Sequence, residues 1–119
     1  KPLRFGHAYV GRREDGAWLL ETRPNSGLLG GMLGWPGTHW SEDPPDHAPP
    51  VVADWHDTGQ IARHTFTHFH LHLRVHAAIL PGDSAIPDTQ FVPPDSFDPT
   101  ALPTAMRKVY RLASSALVV

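Results

Sequence analysis

The chain has 119 residues, a net charge of −2, 40% hydrophobic residues, 13 prolines, 10 glycines and no cysteine. That length supports one domain with its own core, and the absence of cysteine excludes disulfides, thiolate metal sites and iron–sulfur ligation within these residues. No apolar run reaches the ~18 residues of a membrane span, and a slightly acidic balance excludes a protein that grips nucleic acid by bulk charge alone.

Arg4–Val10 and Gly16–Glu21 read as two short strands of a hairpin around Arg12–Gly16. Asn25–Gly37 (NSGLLGGMLGWPG) is glycine-punctuated and apolar, a loop with a short strand at most. Ser41–Pro50 (SEDPPDHAPP) is acidic and proline-rich, a surface loop without helical period, and Val51–Ile61 reads as a strand with its turn. Arg63–Ala78 is the strongest signal: Phe69, Leu71, Leu73, Val75 and Ala77 alternate with His68, His70, His72, Arg74 and His76. Period-two alternation predicts a long half-buried strand with one apolar and one imidazole-rich face. Pro81–Pro99 is loop around a short strand at Gln90–Val92. A terminal helix is expected from about Thr104 to Leu117, with Met106, Val109, Tyr110, Ala113 and Leu117 as its apolar stripe and Arg107, Lys108 and Arg111 facing water. Strands first and a covering helix last give an α+β domain.

The charges are unevenly placed. Thr58–Gly82 contains no acid and holds Arg63, Arg74 and five of the nine histidines, and Thr22–Ser41 is also free of acids and carries Arg23. Two acid-free segments suggest one local face able to meet an anion. Alternate histidines on a strand can also converge on a metal, but His68, His70 and His72 are spaced about 7 Å apart along it and need a ligand from elsewhere. The alternative for His72 and His76 is a solvated, mildly basic strand face. A Gly-x-Ser-x-Gly elbow and a cysteine nucleophile are both lacking, and the Asp54–His56 pair reads as surface.

Three blocks carry a resemblance. Arg23-Pro24-x-x-Gly27-Leu28-Leu29-Gly30-Gly31-Met32-Leu33-Gly34-Trp35-Pro36-Gly37, then Arg63-His64-Thr65-Phe66-Thr67-His68-Phe69-His70-Leu71, then Phe91-Val92 with Ala101–Val109, occur in that order along nearly the whole chain. They resemble the C-terminal domain of MutY-type adenine DNA glycosylases. The resemblance implies one Nudix-like domain over residues 1–119: a mixed β-sheet with flanking helices and the C-terminal helix packed on the sheet. It also implies that the chain, which opens on Lys1, is a piece of a larger glycosylase whose N-terminal domain carries the chemistry and an iron–sulfur cluster. This part would hold no cofactor, metal or catalytic residue. A working Nudix box would continue past Gly37 into a helix bearing glutamates for magnesium; here that stretch is THWSEDPPDHAPP.

The implied function is base excision repair: reading 8-oxoguanine opposite adenine in double-stranded DNA, beside the catalytic domain of the same protein, in the bacterial cytoplasm and away from membranes. The family's Phe-Ser-His loop falls on Phe66-Thr67-His68, so Thr67 supplies the hydroxyl that a serine supplies elsewhere. That role asks for Phe66–His68 as a turn or bulge, with the regular strand starting near Phe69. His68, Arg63 and His64 are candidates for phosphate or base contacts, and Gly27 and Leu28 for close approach to the duplex. Phe66 is open between core packing and a place beside the base, and Gly27–Gly31 between DNA approach and a turn in the fold. Trp18, Trp35, Trp40 and Trp55 are expected to pack. Competing readings are a degenerate Nudix hydrolase acting on an oxidised nucleotide and a metal-binding histidine face.

Overall fold

The computed structural model describes residues 1–23 and 28–117. Its frame is a pair of parallel strands, β1 (Leu3–Arg13) and β5 (His70–Leu80), in register from Leu3 opposite His70 to Arg13 opposite Leu80. Their alternation sets the two faces. Ala8 and Val10 share one face with Leu71, Leu73, Val75 and Ala77, all buried, while His7 and Tyr9 share the other with Arg74, His76 and Ala78. The strand β4 (His56–Thr65) runs antiparallel to β5, with a bulge between Asp57 and Ile61. Gly59 takes the left-handed φ of +74° that this bulge needs. On the other side, β2 (Trp18–Thr22) pairs with β1, β3 (Leu33–Gly34) and β6 (Gln90–Val92). The order is β3-β2-β1-β5-β4, a mixed sheet. Residues 36–41 lie along β1, with Phe5 and Ser41 exchanging backbone hydrogen bonds of 2.7 and 3.0 Å.

The helix α1 (Thr104–Ser114) covers the first face. Ala105, Met106, Val109 and Ala113, with Leu117 beyond it, bury against the apolar residues of β1 and β5. Each large aliphatic side chain so buried contributes about 1.5–3 kcal/mol. Trp35 ties the helix to the sheet by donating its indole N–H to the Met106 carbonyl at 3.0 Å. The second face has a smaller cluster, Leu19, Ala78 and Leu80, beneath Val51, Ala53, Trp55, Ile86 and Phe91.

Four expectations change. Among the described residues α1 is the sole α-helix, where flanking helices were expected; the intervening loops are too rich in proline to continue helical hydrogen bonding. The alternating run Arg63–Ala78 is two strands, because the chain reverses at 66–69. His76 is 5% exposed and does not lie on a solvated face, since the loop before β4 folds over the end of β5. Lys108 does not simply face water: α1 lies across β4, and the ammonium donates to the Arg63 carbonyl at 3.0 Å.

Candidate nucleic-acid interface

The connection between β4 and β5 turns on two phenylalanines. Phe66 N–H donates to the Phe69 carbonyl at 2.9 Å, and the two rings meet at 5.0 Å between centroids. Phe69 is buried and Phe66 half-buried against the core, so the intervening Thr67 and His68 are pushed outward and exposed. Anchoring both ends of a short loop on aromatic packing interrupts the strand parity at this point. Among the described residues the Thr67 hydroxyl makes no hydrogen bond, and it faces solvent.

The loop rests on a stack drawn from a distant segment. Trp40 lies 5.9 Å from Phe66 with the rings 22° from parallel, and the Arg23 guanidinium sits 4.4 Å over Trp40. Arg23 also donates through Nε to the Leu28 carbonyl at 3.3 Å. Leu28 is 42% exposed, and Leu29 beside it packs on the core with a φ of +59°, a left-handed value that non-glycine residues rarely adopt. The stretch 28–31 is thus both a turn of the fold and, through Leu28, part of the exposed rim. Gly27 lies outside the described residues.

Cations gather around this end. The Arg4 guanidinium lies 4.3 Å over Phe69, and the Lys1 ammonium donates to the Phe66 carbonyl at 3.4 Å. Arg63 is exposed on β4. His64 is half-buried, its ring centroid 4.7 Å from that of Phe66 and the rings 71° apart, and it accepts from Lys108 Nζ through Nδ1 at 3.0 Å. Burial and the Lys108 charge push its pKa down, so it is a neutral ring with an Nε2–H donor at pH 7. His70 meets Thr65 Oγ1 at 2.8 Å through Nδ1. Burial raises the Glu21 carboxyl, an effect opposed by the charge of Arg23. Elsewhere Asp57 is paired with Arg74 at 2.7 Å and Asp15 with Arg13 at 2.8 Å.

Phe66, Thr67, His68, Arg63, His64 and Leu28 therefore fall at one end of the sheet. Arg23, Trp40, Arg4 and Lys108 belong with them, and reading the sequence did not place them there. The signal for Arg23 was its position as the cation of an acid-free segment; Trp40, expected to pack, had none. A cleft of about 190 Å³ opens beside the stack, lined by Glu21, Arg23, Trp40, His7 and Thr38. It is smaller than the roughly 300 Å³ from which small-molecule sites begin.

A model of the NUDIX domain matches residues 7–112. The chain belongs to the NUDIX family. It is 30% identical to human adenine DNA glycosylase over 110 residues, 79% of this chain but 20% of that protein, and so spans about one fifth of its length. The crystal structure of the complex between the C-terminal domain of mouse MUTYH and human PCNA matches with a TM-score of 0.70 at 21% identity, covering 95% of this chain and 88% of that one. The MutT protein from Methanosarcina mazei Go1 matches with a TM-score of 0.69 at 17% identity, covering 99% and 98%. The mixed sheet with its C-terminal helix is thus a NUDIX fold. Past Gly37, where a Nudix helix was sought in the sequence, residues 38–55 form loops and bends, with Glu42, Asp43 and Asp46 exposed.

Proposed function

We propose that this chain is the lesion-reading domain of a MutY-type adenine DNA glycosylase, recognising 8-oxoguanine opposite adenine while another part of the protein cleaves the glycosidic bond. The observation that carries the reading is the exposed Thr67–His68 tip, held on the Phe66–Trp40–Arg23 stack and ringed by Lys1, Arg4, Arg63 and Lys108. The likeness to human adenine DNA glycosylase supports it.

The chemistry of the lesion fits such a tip. Guanine offers N7 as an acceptor, whereas 8-oxoguanine offers N7–H as a donor and O8 as a further acceptor. A hydroxyl can accept from N7–H or donate to O8. The threonine methyl restricts the first torsion, which holds the hydroxyl in fewer orientations than serine allows. His68 and Arg63, both exposed, would meet phosphates, which position a protein on DNA without reading its sequence. An iron–sulfur cluster does not fit this chain, which has no cysteine to bind one; that group would belong to the catalytic part. A NUDIX hydrolase reading is weaker, because exposed carboxylates in a proline-rich loop provide no fixed octahedral cradle for magnesium.

The test is made in the intact protein. Thr67→Val keeps the shape and removes the hydrogen bond, worth ~1–3 kcal/mol where a buried partner is left unpaired. Discrimination between 8-oxoguanine·adenine and guanine·adenine duplexes should fall about tenfold, and Thr67→Ser should be nearly neutral. An unchanged ratio in Thr67→Val, at unchanged melting temperature, would remove the loop hydroxyl from recognition. Pyrophosphate released from a nucleoside triphosphate by the chain alone would favour the hydrolase reading.

A further inference from the structure

Further along the same strands, beyond the cleft that His7 shares with Trp40, lies a second convergence of side chains. Tyr9 stands opposite His76 in the parallel register, and His7 two residues earlier shares their face. His47 arrives from the Ser41–Pro50 loop. Ring centroids are 5.0 Å apart for His7 and His76, 4.8 Å for His47 and His76, and 6.0 Å for His7 and His47. One nitrogen from each ring lies within 4.8 Å of the other two, and among the described residues this is the one such grouping of three potential ligands. From this geometry we propose that His7, His47 and His76 form a binding site for a divalent transition metal of the zinc type.

The surrounding hydrogen bonds orient the rings as ligands need. The Pro45 carbonyl can only accept, so at 2.9 Å it fixes the proton of neutral His7 on Nε2 and leaves a lone pair on Nδ1. That lone pair meets His76 Nε2 at 2.8 Å. Without metal, His76 Nε2–H donates across this gap. With metal, the ion takes the place of that proton, His76 carries its one proton on Nδ1 instead, and no net proton is released. The Tyr9 hydroxyl contacts His47 Nδ1 at 3.1 Å and accepts from Ala48 N–H at 2.7 Å, which seats the loop on the strands. The donors are three imidazoles. Asp57, the carboxylate whose charge reaches His76, is committed to Arg74. An all-imidazole set selects zinc, copper or nickel over magnesium or calcium. Zinc–nitrogen bonds of about 2.0–2.1 Å set tetrahedral ligands about 3.4 Å apart. The His7–His76 gap therefore opens slightly and His47, exposed on its loop, closes in.

The experiment uses the chain without a histidine tag, stripped by chelator and titrated with zinc and, for its visible spectrum, with cobalt. We expect one equivalent to bind, a tetrahedral cobalt spectrum and a raised melting temperature. His47→Ala, at an exposed position, should fold normally, bind more than tenfold more weakly and lose the thermal shift; His76→Gln should do the same. His70→Ala on the open face should behave as the parent. Absence of saturable binding, binding unchanged in His47→Ala, or binding lost in His70→Ala would overturn the site.

Discussion

At its start β5 carries exposed His70 and half-buried His72 beside the Thr67 loop; further along it turns His76, on the same face, into burial beneath half-buried His7 and exposed His47. One strand with one alternation thus serves two ends differently. The difference lies in what covers it. Nothing among the described residues folds over His70, whereas the proline-rich 45–55 stretch closes over His76 through His47, Ala48 and Trp55. Identical residues at even spacing become, at one end, donors near the exposed Thr67–His68 loop, and further along a buried ring, His76, beneath two others.

The largest contrast should be in stability. His76→Ala removes packing and leaves His7 Nδ1 without its donor, a loss of about 2–3 kcal/mol by denaturant unfolding. His72→Ala should stay within about 0.5 kcal/mol. Equal losses would erase the distinction between the two ends.

Acid should sharpen it further. The folded pKa of His76 is about 4 against an ordinary 6.5, lowered by burial and then by His7 and His47. As pH falls below 6.5 the unfolded chain takes up this proton before the folded one. The contribution is therefore complete above 6.5, declines between 6.5 and 4, and levels off below. With chelator present, the loss across that window should be on the order of 2 kcal/mol. His76→Gln should flatten it; an unaltered slope in that variant would assign the dependence to other groups.

Next in size are the two tryptophans. Trp40→Ala removes the stack under Phe66 and should cost about 1–2 kcal/mol while also weakening duplex discrimination in the intact protein. Trp55→Ala, in the cluster over the end of β5, should cost stability alone. If both variants left discrimination untouched, the platform would be packing and nothing more.

How far the residues themselves disclosed this arrangement differs between the two ends. Period-two alternation located β5 and its apolar face, and helical spacing located α1, because both patterns are local. The reversal at Phe66–Phe69 does not show in the alternation, and the turn expected at Phe66–His68 came from the role the resemblance gives Thr67: no glycine, proline or asparagine marks it, and Phe66 there packs against Trp40, 26 positions away. The His7–His47–His76 cluster was illegible for a similar reason. Its members come from two strands and a loop, and only the parallel register of β1 with β5 brings them together. Spacing along one strand makes only His68, His70 and His72 visible as a set. The Arg23–Trp40–Phe66 stack likewise depends on residues 36–41 lying along β1.

If this chain reads duplex, it does so at the Thr67 end of the molecule. Nuclear magnetic resonance on the isotope-labelled chain, titrated with a short 8-oxoguanine·adenine duplex, tests it most directly. With a net charge of −2 the isolated chain should bind weakly and with a shallow dependence on salt, so signals should move progressively during titration. Signals of Leu28, Trp40, Arg63, Phe66, Thr67 and His68 should shift, less so with a guanine·adenine duplex, while those of His47, Trp55 and His76 stay unmoved. Shifts gathered at the His7–His47–His76 end, with the Thr67 loop silent, would contradict it.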